Sequence, residues 1–358
     1  MFGFVRKLNY YTEKVEALLN KEYDKTLSTV LLYLNSGICN QNCIYCDKNF
    51  YQIEPRRFTK EILNNLLTDM TTMGVDSMII LGEGGEPIVD TNLPWLIKEA
   101  SLRNIACGIY TNGSVINEEI VEAFNKLEFL RISLDAATGE THQAIHQYSV
   151  GRNDFENCIE LIGAVNKKKV MVGVAYIILD ENIDEIYKAW NLMNEMQVEY
   201  IEFKLPLQKG YKYKEISAEK IMRIKENINK ILNANEKYTK VILNKHLELL
   251  LNDRVKTEEL TEVESRPCYT SCFRTIVSPL GYFLCSPLKN LEEYRFGDPF
   301  EESLIEAWNS EKRRALIEQK CNVRCTYYKQ NEALACIIQN GYASFNNQST
   351  DINQKHFL

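Results

Sequence analysis

The stretch Gly37-Ile-Cys-Asn-Gln-Asn-Cys-Ile-Tyr-Cys-Asp47 follows an apolar, β-like run and carries three cysteines at short, unequal spacing. Three residues separate Cys39 from Cys43, and two separate Cys43 from Cys46. Thiolates spaced in this way can bind one side of a 4Fe–4S cluster, which needs four ligands, so that one iron is left for a small molecule. The alternatives are a zinc site with four closed ligands and cysteines that pack as small hydrophobic residues.

The composition is that of an ordinary globular protein. The chain has 358 residues, of which 45% are hydrophobic and 25% charged, and this length allows a main domain of about 200 residues with a smaller second one. The formal net charge is −7, and no basic run is longer than residues 167–169. Because a phosphate backbone would not be attracted to such a chain overall, we expect no nucleic-acid partner.

The cysteine content and the absence of targeting signals indicate a reducing compartment. No stretch of about 18 apolar residues is present, so we expect no membrane partner. The first eight residues are soon interrupted by charge and are too short for a secretory signal, so we expect a cytoplasmic protein. Since the cytosol keeps thiols reduced, the eleven cysteines favour metal ligands over disulfides.

From residue 28 onward, short β-branched runs alternate with helical patterns, as in a series of β/α units. This alternation predicts an α/β fold with parallel strands, and six units are too few for a closed eight-stranded barrel. The six predicted strands are residues 29–35, 77–82, 105–111, 129–135, 170–179 and 200–205.

The β/α pattern ends near residue 235, and the composition changes there and again near residue 266. The later segment is rich in cysteine and poor in helical pattern before residue 301, so we expect it to be a separate small unit. The predicted parts are a helical extension (1–27), the barrel (28–235), a polar linker (236–265), the cysteine-rich domain (266–340) and a polar tail (341–358).

Two predicted strands end in turns that suit a bound ligand. The second is followed by Gly82-Glu-Gly-Gly-Glu-Pro87, where glycines let a ligand approach the main chain closely. The fourth ends in Arg131-Ile-Ser-Leu-Asp-Ala136, and strand alternation places Ser133 and Asp135 on the same face. Polar side chains in a barrel lumen need partners, so these two residues either contact a ligand or form an internal hydrogen bond.

The cysteine triad, the aromatic Tyr45 before its last member, and the Gly-Gly-Glu-Pro sequence at residues 84–87 together resemble the radical S-adenosylmethionine (radical SAM) family. The resemblance implies a partial (β/α)6 barrel over residues 28–235. It also implies a catalytic 4Fe–4S cluster on the three cysteines, with S-adenosyl-L-methionine (SAM) bound at the open iron.

The same resemblance suggests which residues contact SAM. In the family, Gly-Gly-Glu-Pro binds the amino group of SAM, the residue before the third cysteine meets the adenine through its backbone, and polar residues of the fourth strand contact the ribose or carboxylate. Lys204, at the end of the sixth strand, either neutralises a carboxylate at the barrel mouth or is solvent-exposed. The predicted SAM-binding residues are Tyr45, Gly84, Gly85, Glu86, Pro87, Asn112, Ser133, Asp135 and Lys204.

Two histidines, His142 and His146, are four residues apart and would share one helix face, a spacing that could hold a metal. We favour a different interpretation, in which His146 contacts substrate or packs at the barrel mouth and His142 is solvated.

Six further cysteines follow residue 266. Residues 278–284 have the pattern of a hairpin whose turn glycine brings two thiols together, and a Leu-x-x-x-Trp helix is predicted over residues 304–319. This order resembles the SPASM/twitch extension of radical SAM enzymes, which holds auxiliary clusters. The six cysteines are Cys268, Cys272, Cys285, Cys321, Cys325 and Cys336.

Six cysteines fit neither form of that extension, because a SPASM domain uses more for two clusters and a twitch domain uses fewer for one. We expect at least one auxiliary 4Fe–4S cluster, with two thiols left to serve a second cluster or to donate a hydrogen atom. A zinc site is the structural alternative. The expected auxiliary ligands are Cys268, Cys285, Cys321 and Cys325, and the spare thiols are Cys272 and Cys336.

These motifs predict an enzyme that cleaves SAM reductively to a 5′-deoxyadenosyl radical, as the resemblance implies. The radical would abstract a hydrogen atom from a polar small molecule, such as a sugar, an aminocyclitol or a nucleoside-like compound. The auxiliary cluster would assist a two-electron oxidation, and the reductant would be a one-electron donor such as flavodoxin or ferredoxin.

Two other functions stay open. A peptide-modifying enzyme that crosslinks, epimerises or oxidises side chains would use the same cofactors. Such relatives often carry an N-terminal peptide-recognition domain, and the residues before the first strand leave no room for one; fold-level analogy alone cannot choose between these substrates. The second alternative is a non-catalytic zinc-binding module, which would contain no iron.

Overall fold

The computed structural model describes residues 12–208, 212–213, 216–235, 237–252, 268–289, 291–319 and 328–340. The predicted tail, residues 341–358, lies outside these ranges. The centre of the molecule is a sheet whose main strands are parallel and alternate with helices along the chain. The strands are β1 (Thr29–Ser36), β2 (Arg56–Arg57), β3 (Ser77–Glu83), β4 (Ala106–Thr111), β5 (Phe129–Ser133), β6 (Met171–Ile177), β7 (Tyr200–Lys204), β8 (Leu207–Gln208), β9 (Lys212–Tyr213), β10 (Lys240–Leu243), β11 (Arg274–Ser278), β12 (Gly281–Phe283) and β13 (Arg295–Gly297).

The helices that connect these strands cover one face of the sheet. Among the described residues, none is both long and apolar enough to cross a bilayer. The α-helices are α1 (Thr12–Leu19), α2 (Lys60–Thr72), α3 (Leu93–Leu102), α4 (Glu118–Phe124), α5 (Gly139–His146), α6 (Asp154–Ala164), α7 (Ile186–Glu195), α8 (Ala218–Leu232), α9 (Lys245–Leu251), α10 (Leu304–Asn309), α11 (Glu311–Glu318) and α12 (Tyr328–Asn340).

The sheet is an open barrel. Its strand order is β10-β7-β6-β5-β4-β3-β1-β11-β12-β13, and the two end strands do not pair with each other. All six strands predicted from the sequence are present, as β1, β3, β4, β5, β6 and β7, and each pairs in parallel with its neighbours in this series. The predicted α/β partial barrel is therefore confirmed.

The two faces of the sheet have different environments. Val30 and Leu32 of β1 point outward and pack in the main core with Leu63 and Leu66 of α2. Leu31, the residue between them, instead belongs to a small cluster on the inner face. Since side chains alternate along a strand, every second residue of each barrel strand points into the lumen, where ligands can reach it.

One strand lies where the sequence analysis placed a linker. Residues 240–243, within the predicted linker 236–265, form β10 and pair in parallel with β7, with Lys240 opposite Tyr200. Val241 and Leu243 are half-buried whereas Lys240 and Ile242 are exposed, as expected of an edge strand covered on one side. The run is too short, and too close to polar residues, for its strand character to be evident from sequence. Residues 253–267 of the linker lie outside the described part of the chain.

The cysteine-rich segment extends the same sheet. β11 pairs in parallel with β1, with Thr29 opposite Arg274, and β12 completes the predicted hairpin through Gly281, whose φ of 141° favours glycine. The predicted helix over residues 304–319 is divided into α10 and α11 at Ser310, whose side chain accepts a hydrogen bond from Arg313 N (3.2 Å) and caps α11.

Candidate active site

The cysteine loop after β1 is fixed against the C-terminal end of α5 by main-chain hydrogen bonds. Asn42 N donates to His146 O (2.9 Å), and Ile44 N donates to Ile145 O (3.0 Å). On the other side, the Arg152 guanidinium donates to Asn40 O (2.7 Å). The three loop cysteines are half-buried and form no disulfide. The loop therefore holds three thiols in a defined place at the carboxyl end of the first strand.

The donor set of this loop suits a cluster of several irons. Across the ranges that the structure describes, no three His, Cys, Asp or Glu side chains converge closely enough to hold a single metal ion. A 4Fe–4S cluster does not require such convergence, because each thiolate binds a different iron. Burial raises the pKa of Cys39 to about 12, so this thiol is protonated in the metal-free chain and metal binding has to displace the proton.

A buried polar chain connects the cysteine loop with the end of β5. Cys43 Sγ lies 3.1 Å from His146 Nδ1, and His146 Nε2 lies 3.4 Å from Asp135 Oδ2. The Tyr45 hydroxyl donates to the same carboxylate oxygen, and Ile177 N donates to Asp135 Oδ1 (2.5 Å). Asp135, predicted as a SAM contact, is fully buried, so in this structure its carboxylate supports the loop.

The expected solvent exposure of His142 is wrong. Its side chain is fully buried, stacks on His146 at 4.2 Å between ring centroids, and places Nδ1 3.3 Å from the Tyr148 hydroxyl. Burial lowers the pKa of His142 to about 2, so the ring is neutral. The apolar face of α5 includes this histidine because a neutral imidazole can be buried with one hydrogen-bond partner.

Glu86 is held by donors from three sides. One carboxylate oxygen accepts from Ile88 N (2.9 Å) and from the Thr111 hydroxyl (2.5 Å), and the other accepts from Asn112 N (2.7 Å). Burial raises the pKa of Glu86 to about 7, and these donors act in the opposite direction. A carboxylate has about four acceptor positions, so one is left for a cationic ligand such as an ammonium group.

The turn before Glu86 packs too closely for side chains. A Cβ atom on Gly85 would lie 2.1 Å from Asn35 Oδ1, and Gly84 has a φ of 54°. Asn35 Nδ2 donates to Glu86 O (2.8 Å), whereas its buried Oδ1 has no hydrogen-bond partner in the described structure. An orphaned buried acceptor beside the main chain of Glu86 fits an ammonium ligand. Asn35 was not among the predicted contacts, although it lies near the end of an apolar strand directly before the cysteine loop.

Three other predicted SAM contacts lie in different environments. The side chain of Asn112 donates to Asn40 Oδ1 (3.0 Å) and accepts from Ser114 N (3.0 Å), so it supports the cysteine loop from the end of β4. Ser133 is half-buried at the end of β5, on the lumen face. Pro87 starts the short 3-10 turn Pro87–Val89 that places Ile88 N against Glu86.

A cavity of about 290 Å³ opens between the cysteine loop and the ends of β6 and β7. Tyr45 lies on one side of it, and Ile178, Leu179, Leu205 and Pro206 lie on the other. A flat, partly apolar heterocycle fits a space of this size and lining. Tyr45, which the family resemblance places beside the adenine of SAM, thus borders this cavity.

The inner face of β5 and β7 carries a charged triad, of which only Lys204 was predicted from the sequence, as a SAM contact. Arg131 donates to Glu202 (2.6 Å), and Lys204 Nζ lies 3.2 Å from the same carboxylate. Burial is the main cause that lowers the pKa of Lys204, and the positive charge of Arg131 lowers it further. Because Arg131 and Lys204 both pair with Glu202, this part of the barrel lumen has a surplus of one positive charge. Alternation from Ser133 could have placed Arg131 in the lumen, but its pairing with β7 depends on the register of the strands.

The C-terminal cysteines are only partly described. Cys268 and Cys285 are half-buried, Cys272 is buried and Cys336 is exposed. Cys321 and Cys325, two of the four expected auxiliary ligands, lie outside the described residues. The three thiols before residue 290 flank the β11–β12 hairpin, as the sequence analysis expects.

A buried ion pair joins the segment after Cys285 to the end of β3. Lys289 Nζ lies 3.3 Å from Glu83 Oε1, and the Ser278 hydroxyl donates to the other oxygen of Glu83. Glu83 is fully buried and Gly37 N donates to its main-chain carbonyl (2.9 Å). The cysteine loop, the glycine turn and the C-terminal segment are therefore held together at the carboxyl ends of β1 and β3.

The structure thus combines an open parallel β/α barrel with a three-cysteine loop and a Gly-Gly-Glu-Pro turn at its strand ends. The sequence profile of the Radical SAM superfamily matches residues 35–193. The chain therefore contains a radical SAM domain over this segment.

Curated relatives are distant in sequence. Fe-coproporphyrin III synthase of Methanosarcina barkeri is 24% identical over 185 residues, which cover 51% of this chain and 45% of that protein. The chain thus matches less than half the length of this relative. AdoMet-dependent heme synthase of the same organism is 23% identical over 311 residues, which cover 81% of this chain and 86% of that protein.

Solved structures show the same fold. Streptococcus suis SuiB bound to its precursor peptide SuiA superposes with a TM-score of 0.62 at 16% identity, covering 86% of this chain and 70% of that one. The protein anSMEcpe with bound AdoMet gives a TM-score of 0.59 at 15% identity, covering 90% and 96% of the two chains. Both likenesses extend beyond the matched radical SAM segment into the C-terminal part of this chain.

Proposed function

We propose that this protein is a radical SAM oxidoreductase that oxidises a polar small molecule held in the barrel lumen through an anionic group. When bound, the cluster and SAM supply a reductive cleavage that starts hydrogen-atom abstraction from the substrate. The observation that carries the choice of substrate is the surplus positive charge of Arg131 and Lys204 around Glu202. The radical SAM match supports an enzyme rather than a zinc-binding module.

The chain's own residues would hold SAM from two sides. Cys39, Cys43 and Cys46 would bind the cluster, and the free acceptor position of Glu86, together with Asn35 Oδ1, would receive the SAM ammonium group. The cavity beside Tyr45 would take the adenine. Ser133, on the lumen face between these two sites, is within the span that the ribose and carboxylate of SAM would occupy.

The substrate would lie on the inner face of β4, β5 and β7. The Arg131 guanidinium lies 4.8 Å from the centre of the Tyr110 ring, so its plane is fixed by the ring and by Glu202. A carboxylate or phosphate of the substrate would complete the charge balance at Lys204. The lumen would exclude water from the substrate carbon that loses a hydrogen atom. This exclusion would prevent side reactions at that carbon.

The oxidation removes two electrons from the substrate. The first would leave with the abstracted hydrogen atom, and an auxiliary cluster in the C-terminal segment would accept the second. Cys268, Cys285, Cys321 and Cys325 are the proposed ligands of an auxiliary 4Fe–4S cluster. The contact between Lys289 and Glu83 supports a site near the lumen, because it fixes the segment after Cys285 to the end of β3. A one-electron protein donor such as flavodoxin or ferredoxin would reduce the first cluster.

A peptide is the second candidate substrate, and it has at least equal support from relatives. SuiB was solved with its precursor peptide SuiA, and anSMEcpe was solved with the Cp18Cys peptide. An acidic side chain of a peptide would meet the same lumen cations. In this case the reaction would be crosslinking, epimerisation or oxidation of a side chain.

Product analysis under anaerobic conditions tests the proposal. The reconstituted protein is assayed for iron, sulfide and 5′-deoxyadenosine with two panels: anionic sugars, cyclitols and nucleosides, and acidic peptides. We expect one small molecule to stimulate 5′-deoxyadenosine formation and to transfer deuterium into it. Stimulation by peptides alone would move the assignment to the second candidate, and a colourless protein without 5′-deoxyadenosine would contradict both.

A further inference from the structure

His146, the last residue of α5, contacts the cysteine loop through both its main chain and its side chain. Its carbonyl accepts from Asn42 N (2.9 Å), and its ring nitrogen Nδ1 lies 3.1 Å from Cys43 Sγ. The side chain is fully buried, and Ile44 N donates to the carbonyl of the preceding residue, Ile145 (3.0 Å). Because Asn42 and Ile44 flank Cys43 in sequence, these main-chain bonds hold the sulfur against the imidazole ring.

The opposite side of the ring is fixed as well. His146 Nε2 lies 3.4 Å from Asp135 Oδ2, within the distance of an ion pair, and His142 stacks on the ring with 4.2 Å between the centroids. Asp135 has a φ of 53°, a left-handed conformation that is unfavourable for residues other than glycine. Asn182 Nδ2 holds this turn by donating to Asp135 O (2.7 Å). The imidazole therefore has one defined orientation, in which Nδ1 faces the sulfur.

Iron binding decides which atom supplies the hydrogen of the contact between Cys43 and His146. A free thiol can donate to an imidazole nitrogen, but binding to iron displaces the thiol proton. The sulfur of an iron-bound thiolate can then only accept, so Nδ1 has to be the donor. Since the contact is buried, losing it would leave a polar group without a partner, which costs free energy. The contact thus favours a hydrogen bond from the imidazole to the thiolate.

We propose that His146 donates a hydrogen bond to the Cys43 thiolate when the cluster is bound, and that this bond raises the potential at which the cluster accepts an electron. The inference rests on the proposed function, which places this cluster, here called the loop cluster, on Cys39, Cys43 and Cys46. A reduced cluster carries one more negative charge, so an N–H donor at its sulfur stabilises the reduced form more than the oxidised form. His146 is thus a positioning residue, and Asp135 orients it. A more positive potential lets a weaker one-electron donor start SAM cleavage.

Three substitutions of His146 separate the roles of its two ring nitrogens. The side-chain amide nitrogen of asparagine takes about the position of Nδ1, whereas that of glutamine takes about the position of Nε2. His146→Asn therefore keeps a donor for Cys43, His146→Gln keeps one for Asp135 only, and His146→Leu keeps neither. His246→Leu is the matched control, because His246 of α9 is also a buried histidine.

The full-length chains are reconstituted anaerobically, and iron, sulfide, thermal melting and the midpoint potential by EPR redox titration are measured. The loop cluster is the EPR signal that is lost when Cys39→Ala, Cys43→Ala and Cys46→Ala are combined. A second measurement needs no substitution at His146. In the parent chain with isotopically labelled histidine nitrogen, pulsed EPR of the reduced loop cluster without SAM detects whether a histidine nitrogen couples to the unpaired spin.

We expect His146→Leu and His146→Gln to shift the midpoint potential of the loop cluster to a more negative value. At a fixed applied potential the ratio of reduced to oxidised cluster should fall about tenfold, which is a shift of about 59 mV for one electron. His146→Asn should keep most of the parent potential, and His246→Leu should leave it unchanged. The labelled parent should show the coupling of a histidine nitrogen.

The results that would overturn the inference differ in meaning. If all three His146 variants melt below the parent but keep its potential, His146 is a packing residue and the loop cluster of the proposed function stands. If His146→Leu binds no iron, the other two variants decide, and equal potentials for His146→Asn and His146→Gln without histidine coupling in the parent would contradict the inference. If the parent binds no iron at the loop cysteines, the inference fails together with the proposed function.

Discussion

The hydroxyl of Tyr45 donates a hydrogen bond to the carboxylate of Asp135, and this contact joins the cysteine loop to the end of β5. The loop contains the predicted cluster ligands, and the same aspartate is approached by His146 from α5. The position of the thiols thus depends on a side-chain contact between two elements that are far apart in sequence.

Tyr45→Phe should loosen the cysteine loop without removing a thiol. Loss of a hydrogen bond to a buried carboxylate costs about 1.5–3 kcal/mol of unfolding free energy, and urea unfolding of the metal-free chain measures it. Tyr238→Phe is the control, because Tyr238 is 53% exposed. Equal stability of the two variants would show that the Tyr45 contact has no energetic role.

Cys43→Ala should abolish SAM cleavage, because two thiolates hold a 4Fe–4S cluster poorly. Iron content and 5′-deoxyadenosine formation after anaerobic reconstitution measure the effect. Cys107→Ser, in a thiol buried within β4, controls for the loss of a cysteine elsewhere. Parent-level 5′-deoxyadenosine from Cys43→Ala would contradict the assignment of the cluster.

Glu86 should make SAM binding depend on pH. Its pKa is raised by burial to about 7, so the metal-free fold is most stable where Glu86 is protonated and loses stability as pH rises from about 4.5 to 7. The ammonium of SAM prefers the ionised form, so SAM affinity should rise between about pH 6 and 8.

The variant Glu86→Gln should bind SAM more weakly and remove both trends. Isothermal titration with SAM across this pH range measures the affinity, and thermal melting without SAM measures the fold. Since Glu318 is exposed, Glu318→Gln is the matched control. A pH profile that is unchanged in Glu86→Gln would exclude Glu86 as the titrating group.

Arg131→Met and Lys204→Met should weaken binding of an anionic substrate. Loss of one charge-assisted hydrogen bond raises KM roughly tenfold or more, whereas SAM cleavage without substrate should be unchanged. Lys240→Met, at an exposed ion pair on the edge strand, should leave KM as it is. If the lumen variants alter only uncoupled SAM cleavage, the triad serves SAM and not the substrate.

Lys289→Met should destabilise the chain by about 3–5 kcal/mol, because it leaves Glu83 as an uncompensated buried charge. The double variant Lys289→Met, Glu83→Gln should recover much of this loss. Denaturant unfolding of the four chains completes a double-mutant cycle. A double variant as unstable as the sum of the single ones would mean that the two residues act independently.

The sequence predicted the parts of this fold that depend on local pattern. The six barrel strands and the positions of the cysteine loop and glycine turn follow from periodicity and from short motifs, and the structure has them. β10 was assigned to a linker, because an edge strand of four residues has too little apolar pattern. The break at Ser310 was also missed, since Ser310 ends one helix and caps the next within a continuous helical pattern.

The contacts between side chains at the site could not be predicted from the sequence alone. Arg131 meets Glu202 because β5 and β7 flank β6 in a fixed register, and Asp135 meets His146 because α5 returns over the strand ends. These distances depend on three-dimensional packing. His142 was placed in solvent because its residue type is polar, but helix packing buries it beside His146.

The pairing of β1 with β11 also has a consequence for synthesis of the chain. Translation delivers β1 among the first strands and β11 among the last. Until the ribosome has passed residue 278, one edge of β1 exposes unpaired N–H and C=O groups and can mispair with other chains. Correct assembly of the nascent protein thus depends on protection of the strand that leads into the cysteine loop until its final neighbour has been made.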